Sequence, residues 1–382
     1  MMLGSKALNY DTYGLFCKGE FMKGTILTYL KEYGDVSLKE MPINDVDSLI
    51  LCQFSYLKFD GMVSDVKENG PFVTIKQLKQ HEDFPKLFAD VRYERVNRAL
   101  FKGMLSGKRF CNLKMNCYVN VIEKESETQF SAITLLLEDG TMYLAFRGTD
   151  ETIIGWKEDF NMAFLSPVPA QEYSVRYVNM VAGKLHNPFI VGGHSKGGNL
   201  AVYSAMNCEE GVQERICRIY SMDGPGFRPQ VLSRCGYARI AHKVVKILPK
   251  ASLIGMLFEQ DYDRVVESKA QGLAQHDPYT WLVKDGHFVE AGAVDKGSMR
   301  VEHSISRWIF SLSDNQIKIY VDTLYQIISA SEAEDLISFA SDPKKSIQGI
   351  LSAIKDVDEQ DARILKEALK GLISILSRKQ KG

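Results

Sequence analysis

The run Phe189-Ile190-Val191-Gly192-Gly193-His194-Ser195-Lys196-Gly197-Gly198-Asn199-Leu200-Ala201 constrains this chain more than any other stretch. Apolar residues of strand character end in glycines, a serine follows, and a run of Leu, Ala, Val and Met resumes as a helix. The core Gly193-x-Ser195-x-Gly197 has the form of a nucleophile elbow, in which a strand turns so sharply into a helix that a Cβ at either flank would clash. The serine is then held in a strained conformation at a helix N-terminus, whose free N–H groups can meet a developing oxyanion. A bare G-x-S-x-G can also be a Gly-rich loop with Ser195 as an ordinary N-cap. The strand before the glycines, Gly198 and the small-residue helix after it favour the nucleophile.

Such an elbow needs a parallel sheet around it, and the flanking sequence supplies one. Cys117 to Val121, Phe130 to Leu137 and Thr141 to Phe146 read as strands, the last two joined by the hairpin signal Asp139-Gly140. Residues 171–185 read as an amphipathic helix leading into the elbow strand. Ile216 to Met222, Lys243 to Leu248 and Asp263 to Ser268 read as further strands. Trp281 to Val283 and His287 to Glu290 form a second hairpin around Asp285-Gly286. Strands alternating with helices from about 117 to 290 imply a mostly parallel, three-layer α/β sheet. Upstream, the patterns at 25–30, 45–57 and 66–105 read as helices beside the sheet. Downstream, helical patterns run from Ile317 to Leu376. The expected division is a helical N-terminal region (1–105), an α/β core (106–300) and a C-terminal helical region (301–382).

Composition excludes several function classes. Forty-seven basic against forty-eight acidic residues give a net charge of −1, without the basic field of a nucleic-acid binder. The seven cysteines, at 17, 52, 111, 117, 208, 217 and 235, include no C-x-x-C pair, so neither a zinc site nor a disulfide framework is expected. The opening Met1 to Lys6 carries no apolar h-region, and no run is long enough to span a bilayer. The expectation is a cytoplasmic protein with no transmembrane segment. No metal or organic cofactor is implied.

An activated serine needs a base, an orienting acid and oxyanion donors. One donor is expected from the backbone N–H of Lys196. The other is expected from Gly148 and Thr149 in Phe146-Arg147-Gly148-Thr149, at the end of an early strand. Among the seven histidines, His81, His186, His194 and His242 sit in unsuitable places, His194 because the turn constrains it. His276, in a loop late in the α/β region, is the preferred base over His287 and His303. Asp223, closing the strand after the elbow, is the preferred acid, with Asp261 and Asp263 as alternatives. Turn chemistry alone would also explain an Asp before Gly224-Pro225-Gly226. Glu158 and Asp159, in Trp156-Lys157-Glu158-Asp159-Phe160, are expected to hold the Arg147 guanidinium bidentately.

Phe146-Arg147-Gly148-Thr149 followed by Gly193-His194-Ser195-Lys196-Gly197-Gly198 resembles the lipase class 3 branch of the α/β-hydrolase superfamily. The wider set is similar to a group of uncharacterised bacterial proteins with that fold. It adds Gly155 to Phe160, Pro169-Ala170-Gln171, Asp223 to Phe227 and Gln275-His276-Asp277. The resemblance covers roughly residues 40–290. It implies a hydrolase fold with Ser195 as nucleophile, Gly148 and Thr149 beside the oxyanion, and His276 as base. The chain departs from class 3 lipases in lacking an Asp after Leu248. The expected function is an intracellular serine hydrolase of carboxylic esters, acting on a small-molecule ester or lipid. Thioester and amide hydrolysis would use the same parts. The alternative is a non-catalytic hydrolase-fold protein that binds a lipid or a protein partner. Oligomeric state is not legible in the sequence.

Overall fold

The computed structural model describes residues 24–311 apart from 90, 92, 124, 126, 150–157, 159, 160, 163–165, 234, 259 and 260, together with 313, 316 and 318. In chain order the helices are α1 (Ile26–Tyr33), α2 (Asp45–Phe54), α3 (Ile75–Gln80), α4 (Glu94–Ser106), α5 (Pro169–Lys184) and α6 (Lys196–Asn207). They continue with α7 (Glu210–Arg215), α8 (Pro229–Leu232), α9 (Cys235–Ile240) and α10 (Lys296–Ser311). The strands are β1 (Val73–Thr74), β2 (Lys114–Glu123), β3 (Thr128–Leu136), β4 (Met142–Phe146) and β5 (Phe189–His194). After these come β6 (Ile216–Met222), β7 (Val244–Pro249), β8 (Arg264–Val266), β9 (Val283–Lys284) and β10 (His287–Phe288).

Strands β1 to β8 form one sheet in strict chain order. The pairs from β1 to β4 are antiparallel, and those from β4 to β8 are parallel. Connection length decides the change. Five residues separate β3 from β4, enough only for a hairpin, whereas helices α5 to α9 supply the crossovers that join the parallel strands β4 to β7. The 66–105 stretch, expected to be helical, contains β1, where Val73 pairs with Met115 and extends the sheet edge. Thr74 then turns the chain, its hydroxyl capping α3 through the Gln77 N–H.

Alternation along the strands produces three layers. Tyr143 and Ala145 of β4, Ile190 of β5 and Tyr220 of β6 share a core with Ile26, Leu49, Ile50, Phe54 and Phe101 of the N-terminal helices. The intervening residues Leu144, Phe146, Val191 and Ile219 pack with Tyr177 and Val178 of α5 and Leu200 of α6. With both faces covered, the central strands are apolar at almost every position, as parallel strands require. The helical patterns read beyond Ile317 lie outside the described residues. Among the described residues no helix is long and apolar enough to cross a membrane.

A fully buried ion pair fastens the N-terminal helices together. Asp47 of α2 receives Arg109 Nε at 2.6 Å, the Tyr29 hydroxyl at 2.8 Å and the Asn44 N–H at 2.9 Å. Arg109 also donates to the carbonyls of Val36 and Met41. Burial raises the Tyr29 hydroxyl well above its ordinary range, so it remains a donor. Arg109→Met strands the Asp47 carboxylate and should cost about 3–5 kcal/mol. Thermal unfolding would register this as a fall of roughly 10 °C.

Candidate active site

Ser195 occupies the corner between β5 and α6 with φ 59° and ψ −129°, a conformation L-residues adopt only when surrounding structure enforces it. The enforcement comes from three directions. A Cβ on Gly193 would lie 2.2 Å from the Gly197 carbonyl carbon, and one on Gly197 would lie 2.3 Å from the Phe146 oxygen. The Ser195 N–H donates to Met222 O at 2.9 Å, and Ser195 O accepts from the Gly198 N–H at 2.9 Å. The elbow is wedged between the ends of β4 and β6.

Asp223 directly follows β6. It is fully buried, with φ 49°. Its Oδ1 accepts from Ser252 Oγ at 2.5 Å and from the Gly255 N–H at 3.2 Å, and its Oδ2 lies 2.6 Å from His276 Nδ1. His276 Nε2 in turn lies 3.0 Å from Ser195 Oγ. An ionised carboxylate can only accept, so His276 Nδ1 carries the proton, and Nε2 of the neutral ring accepts from the serine hydroxyl. The structure therefore brings Ser195, His276 and Asp223 into one chain of hydrogen bonds. Asp261 and Asp263 are exposed, and Asp263 instead accepts from the Lys246 N–H at 2.7 Å. His287 on β10 and His303 on α10 are exposed as well.

The loop carrying His276 is pinned at several points. Trp281 Nε1 donates to Gln275 O at 2.8 Å, and the Gln275 side chain bridges the Ala251 N–H (2.8 Å) and Ala270 O (3.1 Å). Tyr279 reaches Asn97 of α4 at 2.5 Å. Burial keeps its hydroxyl protonated by raising it well above the ordinary range.

His194, set aside in the sequence as too constrained, is part of this arrangement. Its Nε2 faces His276 O at 2.9 Å, and a carbonyl can only accept, so Nε2 carries hydrogen. Its Nδ1 lies 3.3 Å from the Tyr56 hydroxyl, and its ring lies 4.7 Å from the His276 ring, centroid to centroid. Tyr56, just past α2, was not singled out. Its place beside the elbow depends on a helix packing that local sequence does not encode.

Gly148 lies against the elbow. A Cβ there would lie 2.2 Å from the Tyr56 hydroxyl oxygen and 3.3 Å from Ser195 Cβ. Thr149 follows it, half-buried. Lys196 is the first residue of α6, and its side chain is buried away from solvent. The expected Arg147–Glu158 pair does not form. Glu158 Oε2 takes Lys196 Nζ at 3.0 Å and the Gln129 N–H at 3.1 Å, and Oε1 takes the Ala170 N–H at 2.9 Å. Arg147 donates to Asn120 Oδ1 at 2.9 Å. A compact ammonium sealed at the helix start needs that carboxylate, and proximity in sequence hid the competitor. Asp159 lies outside the described residues.

Burial pushes the Cys52 and Cys208 thiols up to about 12, which leaves both protonated and poor nucleophiles near neutral pH. Among the described residues no three His, Cys, Asp or Glu side chains converge as a metal centre would require.

Two glycine substitutions separate turn geometry from generic flexibility. Gly193→Ala, whose Cβ would collide with the Gly197 backbone, should cost at least 1–3 kcal/mol by the usual scale of overpacking. Gly183→Ala, with nothing within 4 Å of its new Cβ, should gain about 0.5–1 kcal/mol from helix propensity. Denaturant midpoints of the two variants should move in opposite directions.

The sequence pattern of the Mbeg1-like family matches residues 104–326, which include β2 to β8, the elbow, Asp223 and His276. No curated protein matches the chain. One similar solved structure is a crystal structure of M37 lipase, at 13% identity over 55% of this chain and 67% of that one, with a TM-score of 0.33. That superposition is too loose to bear on function. The family match covers more than half of the chain, and the chain belongs to the Mbeg1-like family.

Proposed function

We propose that this protein is a serine hydrolase of carboxylic esters, with Ser195 as nucleophile, His276 as general base and acid, and Asp223 as orienting acid. One observation carries the reading: the continuous chain Ser195 Oγ–His276 Nε2 (3.0 Å) and His276 Nδ1–Asp223 Oδ2 (2.6 Å), presented on a strained elbow. Nucleophile and base are within hydrogen-bond reach, and the base is held by a third group, as such chemistry requires.

In the reaction, Ser195 Oγ bonds to the ester carbonyl carbon as its proton passes to His276 Nε2. The carbonyl π pair moves onto oxygen, which faces the backbone N–H groups of Lys196 and of the Gly148–Thr149 segment. Asp223 holds the ring in position and balances the imidazolium that forms. The tetrahedral centre collapses and expels the alkoxide, which leaves as an alcohol with the proton from His276. Water, deprotonated by His276, repeats the addition on the acyl-serine. The second collapse releases the carboxylic acid and restores Ser195.

A fluorophosphonate probe tests this directly. Wild type should label, and Ser195→Ala and His276→Ala should not. On a p-nitrophenyl ester, Asp223→Asn should lower turnover by about 10⁴-fold because the ring adopts the wrong tautomer. Asp263→Asn should stay within about twofold, as expected of an exposed carboxylate outside the hydrogen-bonded chain. A folded wild type that resists the probe would leave the non-catalytic, ligand-binding reading in its place.

A further inference from the structure

The elbow carries a group that acyl transfer does not use. Lys196 follows the nucleophile, yet its side chain is 1% exposed and its partner Glu158 is 0% exposed. An ammonium has three donors, and all three have acceptors: Gln129 O at 2.9 Å, Gln129 Oε1 at 2.6 Å and Glu158 Oε2 at 3.0 Å. Glu158 also accepts from the N–H groups of Gln129 in β3 and Ala170 at the start of α5. The knot extends further. Gln171 Nε2 donates to Asn199 Oδ1 at 2.9 Å, and Asn199 Nδ2 reaches Pro225 O and Gly226 O in the loop behind Asp223.

Stability does not account for this pair. Two sealed charges lose hydration that their attraction roughly repays, and a well-packed apolar pair of similar volume commonly serves as well or better. What an ion pair with three directed hydrogen bonds adds is a fixed position. The residue it fixes carries the backbone N–H closest in sequence to Ser195. That residue is wedged on its other side, where Gly197 abuts the Phe146 carbonyl at the end of the strand leading to Gly148.

We propose that the side chains of Lys196 and Glu158 are positioning residues. Their buried pair holds the Lys196 N–H at the point where the oxyanion develops and keeps it in register with the Gly148–Thr149 segment. The inference rests on the hydrolase reading above. It also gives Glu158 a role within the Trp156 to Phe160 sequence motif.

The test compares Lys196→Met, Glu158→Gln and the double variant. Each single change leaves one buried charge unpaired and should lower the melting temperature by about 10 °C. The double variant removes both charges and should recover most of that loss. Its kcat on a p-nitrophenyl ester should nevertheless stay about 10- to 100-fold below wild type with KM unchanged, the scale of a displaced oxyanion donor. The preference for a trifluoromethyl ketone, which forms an oxyanion on Ser195, over the matching methyl ketone should fall by the same factor. A purely structural pair predicts that activity returns with stability, and a double variant matching wild type in kcat and ketone preference overturns the proposal. Gln129→Met leaves the ion pair in place and serves if the double variant does not fold. It should lower kcat about 3- to 10-fold at constant KM, a fraction of the full donor effect, and an unchanged kcat is again contrary. A wild type that fails to label with fluorophosphonate removes both readings, whereas a labelled wild type with unaffected variants removes this one alone.

Discussion

The rest of the structure depends on a single backbone corner. Ser195 at φ 59° stores strain on the order of 1–3 kcal/mol, a sizeable share of the 5–15 kcal/mol by which a domain is usually stable. The corner is packed so tightly that a Cβ on Gly193 would collide with Gly197 and one on Gly197 with Phe146 O. The corner is therefore set by the spacing of β4, β5 and β6, which in turn is set by the cores on both sheet faces. Packing far from the serine determines where its oxygen stands.

Parallel register then assembles the neighbours. Phe146 pairs with Gly193, His194 with Met222, and Met222 with Ile247, so the strands run out along one line. The residues just past that line are Gly148, Ser195, Asp223 and the segment containing Ser252. Chain ends on one edge of an open α/β sheet meet without further design. His276 comes from outside the register, and its loop accordingly needs the clamps from Trp281, Gln275 and Tyr279. Tyr279 closes onto Asn97 and Tyr56 onto His194, so the N-terminal helices hold both sides of the imidazole pair.

What the sequence revealed and what it concealed follow the range of the interactions involved. The elbow, the Asp139-Gly140 hairpin and strands β2 to β8 are written in local pattern: glycine spacing, turn residues and apolar runs. His276 and Asp223 followed from chain order on a sheet edge, and the structure places them together within hydrogen-bond reach. The roles of Tyr56 and His194 depend on how a helix packs over the elbow, the partners being 138 positions apart in sequence. The partner of Glu158 was misread because Arg147 is near it in sequence, while Lys196 is 38 residues away and only folding brings it close. A lysine set between the serine and the glycines of the elbow was the available signal. A cation at a position bound to be buried implies a buried anion somewhere in the chain.

Three buried carboxylates show how the fold treats charge. Asp47 is matched by Arg109 and Glu158 by Lys196, each in a buried ion pair. Asp223 is equally buried and takes three hydrogen bonds, from Ser252, Gly255 and His276. Among the described residues it has no lysine or arginine within ion-pair reach. Its partner is an imidazole whose Nε2 lies 3.0 Å from Ser195 Oγ. The first two carboxylates are each balanced by a fixed cation. In the proposed reaction the third is balanced when His276 takes a second proton, the moment Ser195 bonds to the ester carbon. In that proposed reaction, Asp223 without a fixed cation would favour the charged imidazolium more in the transition state than in the resting site. Only interactions that strengthen on the way to the transition state accelerate a reaction.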